Sequence, residues 1–130
     1  MFAEALDFDL QLPDLTALSQ KNAARSLVAH FLQRWEQDDT LMALMRSAAA
    51  NPHALARLQS IFGRQVRPAI GKLSGALPAE AARRAALVAS QVLGLAWCRY
   101  VLALPPLAGM AHEEIIDPVA PTLQRYIFGT

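Results

Sequence analysis

Apolar residues recur along this chain with the spacing of helices, and no stretch alternates convincingly as a strand. Leu27, Val28, Phe31, Leu32 and Trp35 fall on one face of a helix, with Arg25, Gln33, Arg34 and Gln37 mostly opposite. Asp39 is placed to cap a second helix, whose apolar side is Leu41, Met42, Leu44 and Met45 and which should stop near Ala50. Asn51-Pro52 supplies a cap and a first-turn proline for a third, carrying Leu55, Leu58, Ile61, Phe62, Val66, Ile70 and Leu73. Pro68 has no backbone N–H to give, so this helix should kink or split there, and Gly71 and Gly75 mark its decay. Pro78 opens the longest element, expected to reach about Leu102. After Pro105-Pro106 and Gly109, a last helix should begin near His112 with Glu113 and Glu114 in its first turn. Pro118 and Pro121 should bend it, yet Ile115, Ile116, Val119, Leu123 and Ile127 keep a helical stripe. Ahead of all this, Phe2 to Leu10 reads as a short helix or the tail of one, followed by a linker around Pro13. The expectation is an all-α bundle of about five to six helices. Residues 1–20 form a tail and linker, and 21–130 form one helical domain.

The helix from Pro78 is apolar nearly all round from Ala85 onward, so both of its sides need cover. Small residues stand four apart at Ala82, Ala86, Ser90, Gly94 and Cys98, a ladder that admits a second helix closely. Roughly opposite lie Val88, Val92, Leu95 and Arg99, able to face the rest of the subunit. Gly94 inside a helix costs about 1 kcal/mol relative to alanine, which a close backbone contact would offset. One side is therefore expected to meet another chain.

Composition supports that expectation. The 130 residues are one domain's worth and can bury about two thirds of the surface of the unfolded chain. The apolar share, 54%, exceeds the roughly 45–50% usual for globular domains, and a subunit interface is the common destination of the surplus. Twelve basic against eleven acidic side chains leave no excess for phosphate binding. Cys98 is the single cysteine, which fits a reducing, cytoplasmic setting, and Met1 to Leu12 lack the basic start of a signal peptide. The apolar run from Ala85 to Leu104 is broken by Ser90, Gln91 and Arg99, so it reads as a core helix and no membrane partner is expected.

Chemistry is sparse. His30, His53 and His112 stand far apart and have no ligand spacing with Cys98, so no metal site is read. Gly71-Lys72 resembles the end of a phosphate loop, but Val66 and Leu73 occupy positions that such a loop reserves for glycine and Ser/Thr. Asp38-Asp39 reads as a turn and cap. No catalytic residue and no cofactor are expected.

The run from Arg84 to Ala96, followed by Arg99-Tyr100, resembles the penultimate helix of the effector domain of TetR-family transcriptional regulators. Glu114-Ile115-Ile116 and then Ala120 to Tyr126 are similar to that family's last helix. Phe31-Leu32 with Trp35-Glu36, Leu44 with Arg46-Ser47-Ala48, and Phe2 to Leu6 fit earlier pieces in order, so the likeness covers nearly the whole chain. The resemblance implies a homodimer built as a four-helix bundle from the last two helices of each subunit. Ala86, Ser90, Gly94, Trp97 and Val101 would form this surface with Leu123, Tyr126 and Ile127. It also implies a small-molecule effector among the preceding helices, where Phe31, Trp35, Met42, Met45, Phe62 and Leu95 would line a pocket with Gln91 and Arg99 as its polar groups. Arg99 has an alternative, an ion pair with Glu113, Asp117 or a partner carboxylate. No recognition helix can be placed here, so operator DNA would be reached only through a helix-turn-helix that this sequence lacks. A free-standing helical binding or adaptor protein is the second reading.

Overall fold

Helix α1, Gln20–Gln37, is the axis of the bundle. It starts at Ser19, whose hydroxyl accepts the Asn22 N–H at 3.2 Å, and it buries the predicted face from Leu27 to Trp35 together with Ala23 and Ala24. The computed structural model describes residues 8–129, so the helix expected over Phe2 to Leu10 lies mostly outside them. Its described end, Phe8 to Leu10, is not helical.

Helix α2, Thr40–Ala48, is capped from Asp38 and not from Asp39. Asp38 is extended and its carboxylate accepts from the Thr40 N–H at 2.8 Å and hydroxyl at 2.6 Å; Asp39, at φ −92° and ψ 7°, lacks cap geometry. Helix α3, Pro52–Ile61, has its expected Asn51 cap, with N–H donors from His53 at 2.9 Å and Ala54 at 3.3 Å. It runs into a π turn, Phe62–Val66, closed by the Arg67 N–H on the Phe62 carbonyl, and then into α4, Arg67–Ser74. Pro68 explains the join: its ring crowds the carbonyl one turn back and it offers no N–H, so a widened turn lies directly upstream. Gly75, at φ +68°, ends α4 in the left-handed conformation that glycine tolerates.

Helix α5, Pro78–Ala96, continues through a second π turn, Trp97–Val101. Helix α6, His112–Phe128, opens with Glu114 accepting the Ala111 N–H at 2.8 Å. Pro118 and Pro121 sit inside α6 without interrupting it; both are exposed, as are Glu114 and Asp117 one turn back, whose carbonyls they cannot bond as an ordinary residue would. Six α-helices and no strand occur among the described residues, so the fold is all-α, within the expected count.

Helix α1 lies along α6, α2 against α3, and α5 against both α4 and α6, around one apolar core. On α5 the core-facing positions are Ala81, Ala85, Val88, Val92 and Ala96, so Val88 and Val92 face inward as expected; half-buried Leu95 packs against the core and Arg99, in the π turn, also turns to the protomer. One expectation from periodicity needs correction here. On α6, Leu123 and Ile127 are 0% exposed within the single chain and therefore cannot form a partner surface. The stripe that carries them, with Ile115, Ile116 and Ala120, is the stripe that packs on the protomer's own core. Of the three α6 residues expected at an interface, Tyr126 alone retains accessible surface.

Residues 8–19 form a strap that is bound into the bundle. Phe8, Leu10 and Leu15 are buried. Gln65 clamps the strap's backbone, its Oε1 accepting the Leu10 N–H at 2.8 Å and its Nε2 donating to the Phe8 carbonyl at 2.6 Å. Arg34 donates to the Asp9 carbonyl and lies over the Phe8 ring, 4.2 Å from its centroid. A linker reading from Pro13 missed these contacts because they come from residues 25 to 57 positions away.

Candidate functional site

A small, partly open apolar pocket of about 60 Å³ lies between α1, α2, α3, the first π turn and α5. Phe31 and Trp35 form one wall, Leu41 and Leu58 another; Phe62 and Val66 reach in from the π turn, and Val88 and Val92 close the α5 side. Phe31 and Trp35 stack at 5.5 Å between ring centres. Apart from the Trp35 indole, no polar side chain lines it. Phe31, Val66 and Val88 also line a second cavity, beneath the strap, whose rim carries Asp14, Thr16 and Lys72. Phe62 and Val66, four residues apart, share one face of this turn, and both meet the hollow.

Of the residues expected around a pocket, the structure brings together Phe31, Trp35 and Phe62. Met42 is buried core, Met45 and Leu95 are half-buried, and neither these three nor Gln91 lines either cavity. Sequence reading missed Leu10, Leu58 and Val66, since nothing in their local pattern separates a cavity wall from a core.

Arg99 is drawn elsewhere. It donates to the carbonyls of Leu107 at 2.7 Å and Met110 at 3.0 Å, and meets Glu36 at 3.4 Å. Its expected partners Glu113 and Asp117 both pair with Arg25, each at 2.9 Å, because one turn of α6 sets both carboxylates over α1. Glu36 is the hub of a clasp: it also accepts from the Tyr100 hydroxyl and contacts His112 Nε2 at 2.9 Å. Burial pushes the Glu36 carboxyl upward, but the bonds from Tyr100 and His112 and the Arg99 charge outweigh it and hold the group below the usual carboxylate range. Burial, then the bond to Glu36, drives the Tyr100 hydroxyl far above its usual range. The clasp ties the end of α1 to the end of α5 and the start of α6. A carboxyl held low stabilises the fold above its unfolded pKa, and the benefit is lost as pH falls through its folded value. Wild-type protein is therefore expected to lose urea stability between pH 7 and about pH 3.5 more steeply than Glu36→Gln, with the variant weaker by about 1–2 kcal/mol at pH 7. Parallel acid limbs in the two proteins would remove the clasp from the account.

The opposite side of α5 is bare. Ala86, Leu87, Ser90 and Gly94 are exposed along one line, continued by half-buried Trp97 and Val101. Ser90 donates its hydroxyl to the Leu87 carbonyl at 2.7 Å, so the one polar side chain of this line is already satisfied by its own helix. A Cβ placed on Gly94 would meet nothing within 4 Å. Among the described residues nothing therefore offsets the cost of glycine there. No helix among the described residues is long and apolar enough to cross a membrane. No cluster of His, Cys, Asp and Glu among them could hold a metal ion.

The family model described as tetracyclin repressor-like, C-terminal domain matches residues 22–127. The chain belongs to that family, the regulatory C-terminal domain of TetR-like proteins. No curated protein and no solved structure matches it.

Proposed function

We propose that this chain is the ligand-sensing and homodimerisation domain of a TetR-like transcriptional repressor, acting in the cytoplasm on a small, largely apolar effector. The observation that carries the reading is the two-sidedness of α5. Val88 and Val92 face the cavity while Ala86, Ser90 and Gly94 of the same helix lie open. A rigid helix shared by a ligand site and a subunit contact can transmit a shift at one to the other, provided the ligand favours one of two packings. Operator DNA would be met through a helix-turn-helix outside these 130 residues. The partner surface in this reading is Ala86, Ser90, Gly94, Trp97 and Val101 with Tyr126, and Leu123 and Ile127 support it from within the core.

Sedimentation velocity at tens of micromolar tests the assembly, with a dimer expected and a monomer counting against it. A thermal-shift screen of lipophilic compounds tests the sensing role. A ligand present at about a hundred times its Kd adds roughly 2.7 kcal/mol to the folded state and raises the midpoint by several degrees. A screen in which every apolar compound leaves the midpoint unchanged would remove the cavity from the function.

A further inference from the structure

The hollow beneath the strap measures about 200 Å³, against about 60 Å³ for the pocket between α1, α2 and α3. An apolar cavity of roughly 150 Å³ is enough to take up benzene, so a molecule of about one ring has room here. The strap supplies one wall with Leu12, Pro13 and Leu15, and the bundle supplies the other with Leu27, Phe31, Ile70 and Val88. Leu15, Leu27, Phe31, Ile70 and Val88 are buried, and no polar side chain of the lining lies at that depth. Upstream of the pocket the strap is pinned by Gln65 and Arg34, and His30 Nε2 donates to the Leu10 carbonyl at 2.7 Å. It then crosses the hollow on Leu12, Pro13 and Leu15.

The polar groups stand at the mouth and answer one another. Asp14, Thr16 and Lys72 are all exposed. The Thr16 hydroxyl and N–H donate to Asp14 Oδ1 at 2.7 and 3.1 Å, and Lys72 Nζ lies 3.7 Å from Asp14 Oδ2. A charged head at the mouth would face an anion and a cation together, and one carried further in would lose its hydration without a counter-charge. A ligand touching both walls binds the docked strap better than the released one, so occupancy and docking support each other. We propose, on the reading that this chain senses a small apolar molecule, that strap and bundle together form its site, that the molecule is compact and uncharged, and that it holds the strap down. Phe31, Val66 and Val88 line both hollows, so the site stays on the inward face of α5.

Two probes test this on the full chain, with binding followed by NMR: isopropylbenzene, uncharged, and benzoate, charged and of similar size. Of the two hollows, Ala69 of α4 lines only the strap pocket and Ala89 of α5 only the smaller one; both are half-buried, so the same change to leucine fills one or the other. Isopropylbenzene is expected to bind wild type and Ala89→Leu alike and to weaken at least about tenfold in Ala69→Leu, the cost of overpacking its seat. Benzoate is expected to bind wild type at least about tenfold more weakly than isopropylbenzene. The Leu10 N–H, held by Gln65, reports on the strap, and its hydrogen exchange is expected to slow about tenfold with isopropylbenzene at about ten times its Kd. A loss in Ala89→Leu as large as that in Ala69→Leu overturns the inference and leaves the sensing reading standing in the smaller pocket. Unchanged affinity in Ala69→Leu, benzoate binding as tightly as isopropylbenzene, or unchanged exchange at Leu10 with the probe bound each overturn it too. No binding to wild type overturns the inference, and the sensing reading falls with it only if the lipophilic screen is blank as well. Should Ala69→Leu not fold, Leu12→Ala on the strap decides: a loss of roughly fivefold supports the proposal, and unchanged affinity overturns it.

Discussion

Leu123→Ala is expected to lower the unfolding free energy by about 3–5 kcal/mol, the upper part of the range for emptying a fully enclosed leucine site. Leu123 is 0% exposed and sits among Ile115, Ile116, Ala120 and Ile127 on the α6 stripe that packs into the protomer. Its neighbours belong to rigid helices and cannot collapse into the gap, so both the transfer and the cavity contributions apply. Denaturant titration at fixed protein concentration measures the loss. The same variant, where folded, should keep its self-association constant within a few-fold, because Leu123 offers a partner no surface. A loss of dimer without loss of protomer stability would return Leu123 to the interface and reverse the assignment made from burial.

Gly94→Arg is expected to do the opposite: to leave the protomer folded and turn a dimer into a monomer at tens of micromolar, a loss of at least about a hundredfold in association. Among the described residues the site is open, since none of their heavy atoms stands within 4 Å of a Cβ there, and any residue other than glycine or proline suits a helix interior better, by up to about 1 kcal/mol. Between two closely packed helices a guanidinium would both separate the backbones and be buried without a partner. Sedimentation of wild type and variant, paired with their circular dichroism, reads both effects. Gly94→Ala refines the point, because it should stabilise an isolated protomer and weaken a tight helix contact. If Gly94→Arg sediments as wild type does, the bare line of α5 is not the contact between subunits.

Much of the fold was legible before any coordinates because helices announce themselves locally. The α1 face from Leu27 to Trp35, the Asn51 cap, the split before Pro68, the starts at Pro78 and His112, and the end of α4 at Gly75 each depend on residues within about one turn. The cap of α2 was assigned to the wrong one of two adjacent aspartates, since which carboxylate reaches the helix depends on backbone angles that residue type leaves open. The two-sided character of α5 was equally plain from its small and apolar positions, and the structure leaves Ala86, Ser90 and Gly94 on the open side.

The candidate site was legible only in part. Phe31, Trp35 and Phe62 were recognisable as large apolar groups on the right helices, and they do meet at the cavity. Met42, Met45, Gln91 and Leu95 had the same standing in the sequence and lie elsewhere, because a rotation of some tens of degrees about a helix axis separates wall from core and periodicity does not fix that rotation. Arg99 was taken from the pocket by the carbonyls of Leu107 and Met110, partners that belong to a loop without any side-chain signature.

By itself the sequence determined an all-helical chain and where most of its helices begin and end, which follow from short-range hydrogen bonding, proline and glycine geometry, and the 3.6-residue period; the likeness of its motifs pointed to the family. Only the tertiary structure decided which stripe of α6 is spent inside the protomer, how the strap at residues 8–19 is clamped by Gln65, and that Glu36 gathers Arg99, Tyr100 and His112. Those arrangements depend on contacts between residues some 50 to 80 positions apart, whose pairing is set by how whole helices pack and not by any pattern along the chain.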